Sequence, residues 1–366
     1  RSAGQRCSAL RVLHLQEDIA EPFLTMLFGA MDELAVADPW ALSTDVGPVI
    51  DEKARGEITA YIDAAERAGK LLKRLAIPDD GTFVSPAVIR VSSIAEVTRE
   101  VFGPVLHVAT YKAHEIGRVC AAINATGYGL TFGLHTRIDD RVEQIASAIH
   151  AGNIYVNRNQ IGAIVGSQPF GGEGMSGTGP KAGGPLYLPR FRKAGTVSHP
   201  APEATAADRR AVQEKIDALR SKIAGKARQT RDLPGPTGES NRWSTYARGL
   251  VLCLGPSLDD AHEQARQAMA TGCAALIVAP GACGANVVDG ALDPADLQRL
   301  DGFDAVAFWG GETSARAIRE ALAGRDGPLV PLATARDVAP ACLIERHVCI
   351  DTTAAGGNAS LLAEMS

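Results

Sequence analysis

The pentapeptide GQRCS places one thiol, Cys7, between Arg6 and Ser8 and three residues after Gly4. A thiol is a good nucleophile only as its thiolate, which a nearby cation or a helix amino terminus favours. Such a cysteine suits attack on an aldehyde. The tetrahedral thiohemiacetal can expel hydride to a nicotinamide, and the thioester left behind is hydrolysed. Backbone N–H groups of the turn can help hold the developing oxyanion. Taken by itself, a cysteine beside an arginine fits a buried structural thiol better than a nucleophile.

Two further segments carry chemistry. In EVFGPV (100–105) Gly103-Pro104 marks a tight turn into a strand, with Glu100 and Phe102 just ahead of it. A carboxylate can accept hydrogen bonds from ribose hydroxyls while an aromatic ring packs on a nicotinamide; read alone, the segment is a helix-to-strand junction with a surface glutamate. The second is PFGGEGMSGTGPKAGG (169–184). Nine of the 23 residues from 162 to 184 are glycine, so this stretch is loop. Consecutive glycine N–H groups can form an anion-binding nest, to which Ser176 and Thr178 add hydroxyls. A small carboxylate suits it, whereas the phosphate P-loop pattern is absent because alanine follows Lys181. The plainer alternative is a flexible surface connector.

Strands alternating with helices must position these segments. Apolar spacing predicts a strand after Ser8, helices over 19–35 and 51–69, and strands over 83–91 and 104–111. A helix at 114–124, a strand at 130–136, a helix at 139–151 and the strand GNIYVN follow. This is an α/β domain with a largely parallel sheet. A Pro/Ala-containing linker, a helix at about 206–226 and a turn cluster at 232–241 lead to a second, smaller α/β unit. Its elements are GLVLCLG, a helix at 258–271, AALIVAP, a helix near 295–300, DAVAFW, a helix at 312–323 and PLVPL, so a doubly wound, Rossmann-like domain is expected over 245–340. The segmentation is 1–195, 196–244 (linker with helix) and 245–366.

Bulk properties exclude several classes. With 37 basic and 42 acidic residues the net charge is −5, with no run of one sign, which argues against nucleic-acid or anionic-membrane binding. The basic helix holding Arg209, Arg210, Lys215 and Arg220 is interleaved with acids and offers no aromatic platform. No apolar run reaches the roughly 20 residues of a membrane span, and nothing points to export. Seven scattered cysteines without framework spacing suit reduced thiols and a cytoplasmic setting.

SAGQRCSALR, then E-V-F-G-P 93 residues after Cys7, then N-I-Y-V-N and P-F-G-G, in that order, resemble the aldehyde dehydrogenase superfamily over roughly residues 1–193. The continuation through S-G-T-G-P-K-A-G-G to L-P-R-F looks like the aldehyde-anchor loop of L-glutamate γ-semialdehyde (pyrroline-5-carboxylate) dehydrogenases. G-P-T-G-E-S-N and H-V-C-I-D-T-T-A-A-G-G-N-A resemble the carboxy-terminal region of the long-form proline utilization A family, in which a proline dehydrogenase shares the polypeptide.

The resemblance implies Cys7 as nucleophile, Glu100 binding the nicotinamide ribose of NAD, and Phe102 packing nearby. It implies Arg6, Ser8, Ser176, Gly183 and Gly184 around the substrate's charged groups, Phe191 against its aliphatic part and Phe170 as a pocket wall. No metal is implied. The family places a glutamate general base, an oxyanion-hole asparagine and the NAD fold ahead of the cysteine, and a proline dehydrogenase with FAD further ahead. Only six residues precede Cys7. The chain is therefore expected to be a carboxy-terminal piece, inactive by itself, of an enzyme that oxidises L-glutamate γ-semialdehyde. Leu254-Gly255-Pro256-Ser257 does not make the dinucleotide fingerprint, so the second α/β unit is expected to be structural, with its terminal strand docking on the catalytic module. Two alternatives stay open: a dehydrogenase for another aldehyde, and a non-catalytic assembly module. A homo-oligomer also stays open.

Overall fold

The computed structural model describes residues 2–192, 195, 198–220 and 227–353. The chain divides into two compact units, one of residues 1–126 with 147–149 and 160–162, the other of 127–146, 150–159 and 163–366. These units cut the chain elsewhere than the segments read from the sequence.

The first unit carries β1 (Val12–Gln16), α1 (Glu17–Asp32), α2 (Glu52–Arg67), β2 (Leu71–Arg74), β3 (Ala87–Arg90), β4 (Val105–Tyr111) and α3 (Ile116–Ala125). Its sheet has the order β1-β4-β3-β2, parallel except for the edge strand β2, which the sequence reading did not anticipate. Asp51 caps α2 by accepting from the Ala54 amide at 2.7 Å, satisfying one of the orphan donors of the first turn. The helix then buries Ile58 and Ile62 against Val84, Ala87, Ile89, Val101 and Val105. That packing presses the helix onto the segment holding Glu100 and Phe102.

The second unit begins with β5 (Tyr128–Gly129), β6 (Thr131–Leu134), α4 (Asp139–Ala148, whose last two residues belong to the first unit), β7 (Asn153–Val156) and β8 (Glu173–Gly174). It continues with α5 (Arg209–Arg220), β9 (Ala227–Leu233), β10 (Glu239–Ala247), β11 (Leu250–Cys253), α6 (Leu258–Ala270) and β12 (Ala274–Ala279). The rest is β13 (Val287–Asp289), β14 (Ala305–Ala307), α7 (Glu312–Ala323), β15 (Leu332–Ala333) and β16 (Leu343–Asp351).

One sheet of this unit, β13-β12-β11-β14-β15, is parallel throughout. Alternate residues face opposite sides, so the two faces have separate cores. Leu250, Leu252, Leu276, Val278 and Val306 pack with α5 and α7, whereas Val251, Cys253, Ala275 and Ile277 pack with α6. This is the doubly wound arrangement that the βαβ pattern predicts. Helix α5, expected within a linker, supplies Val212, Ile216 and Leu219 to that core. The helix expected near 295–300 is a 3-10 turn over Pro294–Gln298.

The other large sheet, β6-β7-β16-β10-β9, is mixed. The expected turn cluster at 232–241 is the bend of the antiparallel hairpin β9–β10, whose strands extend into it from both sides. Strand β16 lies between β10, antiparallel, and β7, parallel, with His347 opposite Asn153 and Ile350 opposite Val156. The expected terminal strand thus pairs with GNIYVN, while the rest of that motif, 354–366, lies outside the described residues. Among the described residues no helix is long and apolar enough to cross a membrane.

Candidate functional site

Residues 2–9 form a tight turn. The Gln5 amide donates to the Ser2 carbonyl at 2.8 Å and the Ala9 amide to the Arg6 carbonyl at 3.1 Å. Ala3 (φ 47°) and Gly4 (φ 67°) both take the left-handed region. The Gln5 side chain stitches the turn to 48–50, accepting from the Ile50 amide at 2.8 Å and donating to Pro48 O at 3.3 Å. Gln160 donates to the Ser8 carbonyl at 3.3 Å. In this braced turn Cys7 and Arg6 are exposed while Ser8 and Ala9 are buried. An exposed thiol on an ordered loop suits a nucleophile better than a packing residue. Ser8 is 5% exposed.

Glu100 and Phe102 lie beside that turn. The Arg11 guanidinium donates to Glu100 Oε1 at 3.0 Å, to the Gly4 carbonyl at 2.8 Å and to the Arg6 carbonyl at 3.0 Å. It also stands 4.8 Å from the centroid of the Phe102 ring. A shallow cleft lined by Glu57, Ile58, Arg99, Glu100 and Phe102 opens here. A Cβ at Gly103 would meet Ile58 Cδ1 at 2.6 Å, so any side chain there would push the Ile58 side chain aside. The first unit therefore gathers Arg6, Cys7, Ser8, Glu100 and Phe102.

The glycine-rich loop lies in the second unit. Phe170 and Ala182 exchange backbone hydrogen bonds (3.0 and 2.8 Å), which closes 170–182 into a ring of chain. Strand β8 pairs with β5, and Ser176 Oγ accepts from the Gly129 amide at 3.1 Å. That contact leaves the hydroxyl proton of Ser176 to donate elsewhere. The Gly183 carbonyl accepts from the Gly166 amide at 3.0 Å. Gly184 sits so close to Pro169 that a Cβ would meet it at 2.9 Å. Phe191 is exposed, with its ring edge-on to Tyr187 at 5.2 Å.

Buried polar groups hold the loop from beneath. The Lys181 ammonium donates to Asn153 Oδ1 at 2.9 Å and to the Gly171 carbonyl, while Asn153 Nδ2 donates to Pro169 O at 2.7 Å. Burial depresses the pKa of Lys181 to about 7. From β16, Glu345 accepts from the Lys181 amide (2.7 Å) and the Trp243 indole (2.8 Å), and Arg346 forms a fork on Glu173 (3.0 and 2.8 Å). Arg11, Lys181, Glu345 and Arg346 were not singled out from the sequence. Arg11 is a lone charge entering an apolar strand, which is a usable signal. Nothing local marks Glu345, whose partner Lys181 lies 164 residues away.

In the doubly wound sheet, the loop after β11 is held by side chains of α6. Gln264 bonds both the amide and the carbonyl of Gly255, and Asp260 accepts from Ser257 and meets His199 at 2.7 Å. A carboxylate thus occupies the amino terminus of α6, where a phosphate would otherwise gain from the helix dipole. Among the described residues no cluster of metal ligands occurs.

Residues 1–197 match the aldehyde dehydrogenase family. The chain is 42% identical over 414 aligned positions to the bifunctional protein PutA of Salmonella typhimurium, covering 99% of this chain and 31% of that protein. It is 40% identical to a 1-pyrroline-5-carboxylate dehydrogenase of Bacillus cereus over 54% of this chain and 38% of that one. A crystal structure of a mutant Bradyrhizobium japonicum proline utilization A is similar at TM-score 0.51 and 52% identity, covering 52% of this chain and 20% of that one. The chain thus spans about a third of the length of the curated relatives it matches. With the motif order, the α/β fold and a match over more than half its length, the chain belongs to the aldehyde dehydrogenase family.

Proposed function

We propose that the chain carries the nucleophile and the substrate loop of an NAD-dependent L-glutamate γ-semialdehyde dehydrogenase within a longer, cytoplasmic proline-catabolising protein. The observation that supports this most is the exposed Cys7 on a turn braced against the segment of Glu100 and Phe102. The Cys7 thiolate adds to the aldehyde carbon, and the carbonyl oxygen takes the negative charge. Collapse of this adduct breaks its C–H bond with loss of hydride and leaves an acyl group on Cys7 Sγ. Water then cleaves the thioester, releasing glutamate and the free thiol.

NAD, when bound, supplies the hydride acceptor. The residues fit its nicotinamide riboside: Arg11 takes Glu100 Oε1, so Oε2 is left to accept from ribose hydroxyls, and the Phe102 ring is half exposed. The glycine-rich loop, with Ser176 and the backbone at Gly183 and Gly184, would receive the amino-acid end, while Phe170 and Phe191 contact its aliphatic part. The relatives named for pyrroline-5-carboxylate favour this aldehyde over an apolar one. For the carboxy-terminal portion we propose a structural role, supported by β16 bracing the loop through Glu345 and Arg346.

The test is NADH formation from L-glutamate γ-semialdehyde by the longer protein and by its Cys7→Ala form. Loss of turnover with retained folding is expected, and a Cys7→Ala protein that keeps its activity would refute the reading.

A further inference from the structure

Arg11 meets four separate partners, and together they connect the nucleophile's turn to the carboxylate beside it. Its side chain is only 18% exposed, so its N–H donors must find protein acceptors. Three acceptors are Glu100 Oε1, the Gly4 carbonyl and the Arg6 carbonyl, and the last two lie on the turn just ahead of Cys7. The Phe102 ring is the fourth partner. A guanidinium is planar, with its donors in a fixed fork, so it cannot follow one acceptor without moving away from another.

Its own backbone is held as firmly. The Arg11 carbonyl accepts from the His107 amide at 3.0 Å and from His107 Nδ1 at 2.9 Å. A carbonyl only accepts, so Nδ1 carries the proton and Nε2 accepts from the Tyr61 hydroxyl at 2.8 Å. His107 is buried, and burial lowers its pKa, which favours the neutral ring. The strut therefore starts from a rigid base.

We propose that Arg11 is a positioning residue that couples the Cys7 turn to the Glu100 carboxylate, so that a disturbance at Glu100 is felt at the thiol. One consequence is orientation: with Oε1 fixed by Arg11, Oε2 has a defined direction. The other is that a group hydrogen-bonding to Glu100 alters the tension on the Gly4 and Arg6 carbonyls. This coupling rests on the roles assigned above to Cys7 and Glu100.

The test uses the longer protein without cofactor. Amide exchange at Gln5 and Ala9, which close the turn, and iodoacetamide labelling of Cys7 are measured for the unsubstituted chain, Glu100→Gln, Arg11→Lys and the double variant. Glu100 is largely exposed, so Glu100→Gln folds normally. It is expected to speed both amides and shift the Cys7 labelling rate by about twofold or more, the low end of couplings between contacting groups. With Arg11→Lys in place the same change at Glu100 should add nothing, because an ammonium cannot span the three acceptors. Unchanged amides and labelling in Glu100→Gln, or an equal effect with and without Arg11, would overturn the coupling. The nucleophile assignment is read separately in the same experiment: it requires Cys7 to label faster than Cys283, the other exposed thiol. If that fails, the amides still report whether Arg11 couples the two.

Discussion

Gly4 lies directly against Gly103: a Cβ at Gly4 would stand 2.2 Å from the Gly103 carbonyl oxygen. Two glycines separated by nearly a hundred residues thus let the nucleophile's turn and the turn after Glu100 touch backbone to backbone. Gly4→Ala should destabilise the first unit by on the order of 2 kcal/mol or more, since it adds a clash to a left-handed φ. Denaturant unfolding measures it, and a loss well under that would show that the two turns can separate freely.

Glu345 satisfies two buried donors at once, the Lys181 amide and the Trp243 indole. Glu345→Ala should cost about 2–5 kcal/mol, because both donors lose their acceptor away from water. Glu345→Gln keeps an acceptor oxygen and should cost less. Equal losses for the two substitutions would contradict this account.

Arg346 and Glu173 form a bidentate pair with side chains 13% and 9% exposed. Removing one partner strands a buried charge, so each single substitution to a neutral residue should destabilise strongly while the double substitution recovers part of the loss. A coupling of about 1–3 kcal/mol is expected from the cycle. Additive losses would mean that water already reaches the pair.

Lys181 makes stability depend on alkaline pH. Its pKa falls from 10.5 to about 7 on burial, so between those values the unfolded chain binds the extra proton. Stability should therefore rise with pH across that window, with the full burial penalty present below about 7. Unfolding midpoints of the unsubstituted chain and Lys181→Met, compared across the window, test it. The rise should flatten in Lys181→Met, and parallel profiles would rule the idea out.

The motifs at 4–8, 100–105 and 169–184 were legible because each depends on residue types that a local conformation demands: a thiol on a turn, glycine before a strand, a run of glycines. The doubly wound sheet of the second unit was legible for a related reason. Strands buried on both faces read as short apolar runs, and α6 and α7 alternate with them at the expected spacing.

Strand β2 was not legible. Its LLKR sequence has no clean alternation, and it exists because β3 offers an edge to pair with. The hairpin β9–β10 was also hidden, since β9 is exposed and charged and reads as linker.

By itself the sequence determined the family, the order of the chemical motifs and the α/β class, because these follow from local residue types and their spacing. Only the tertiary structure decided what holds the motifs in place. Arg11 reaches Glu100 across 89 positions, and Glu345 reaches Lys181 across 164. Hydrogen bonds between groups so distant in the chain are set by sheet register, in which β1 aligns with β4 and β16 enters between β7 and β10. Register depends on the packing of whole faces, so no short stretch of residues encodes it.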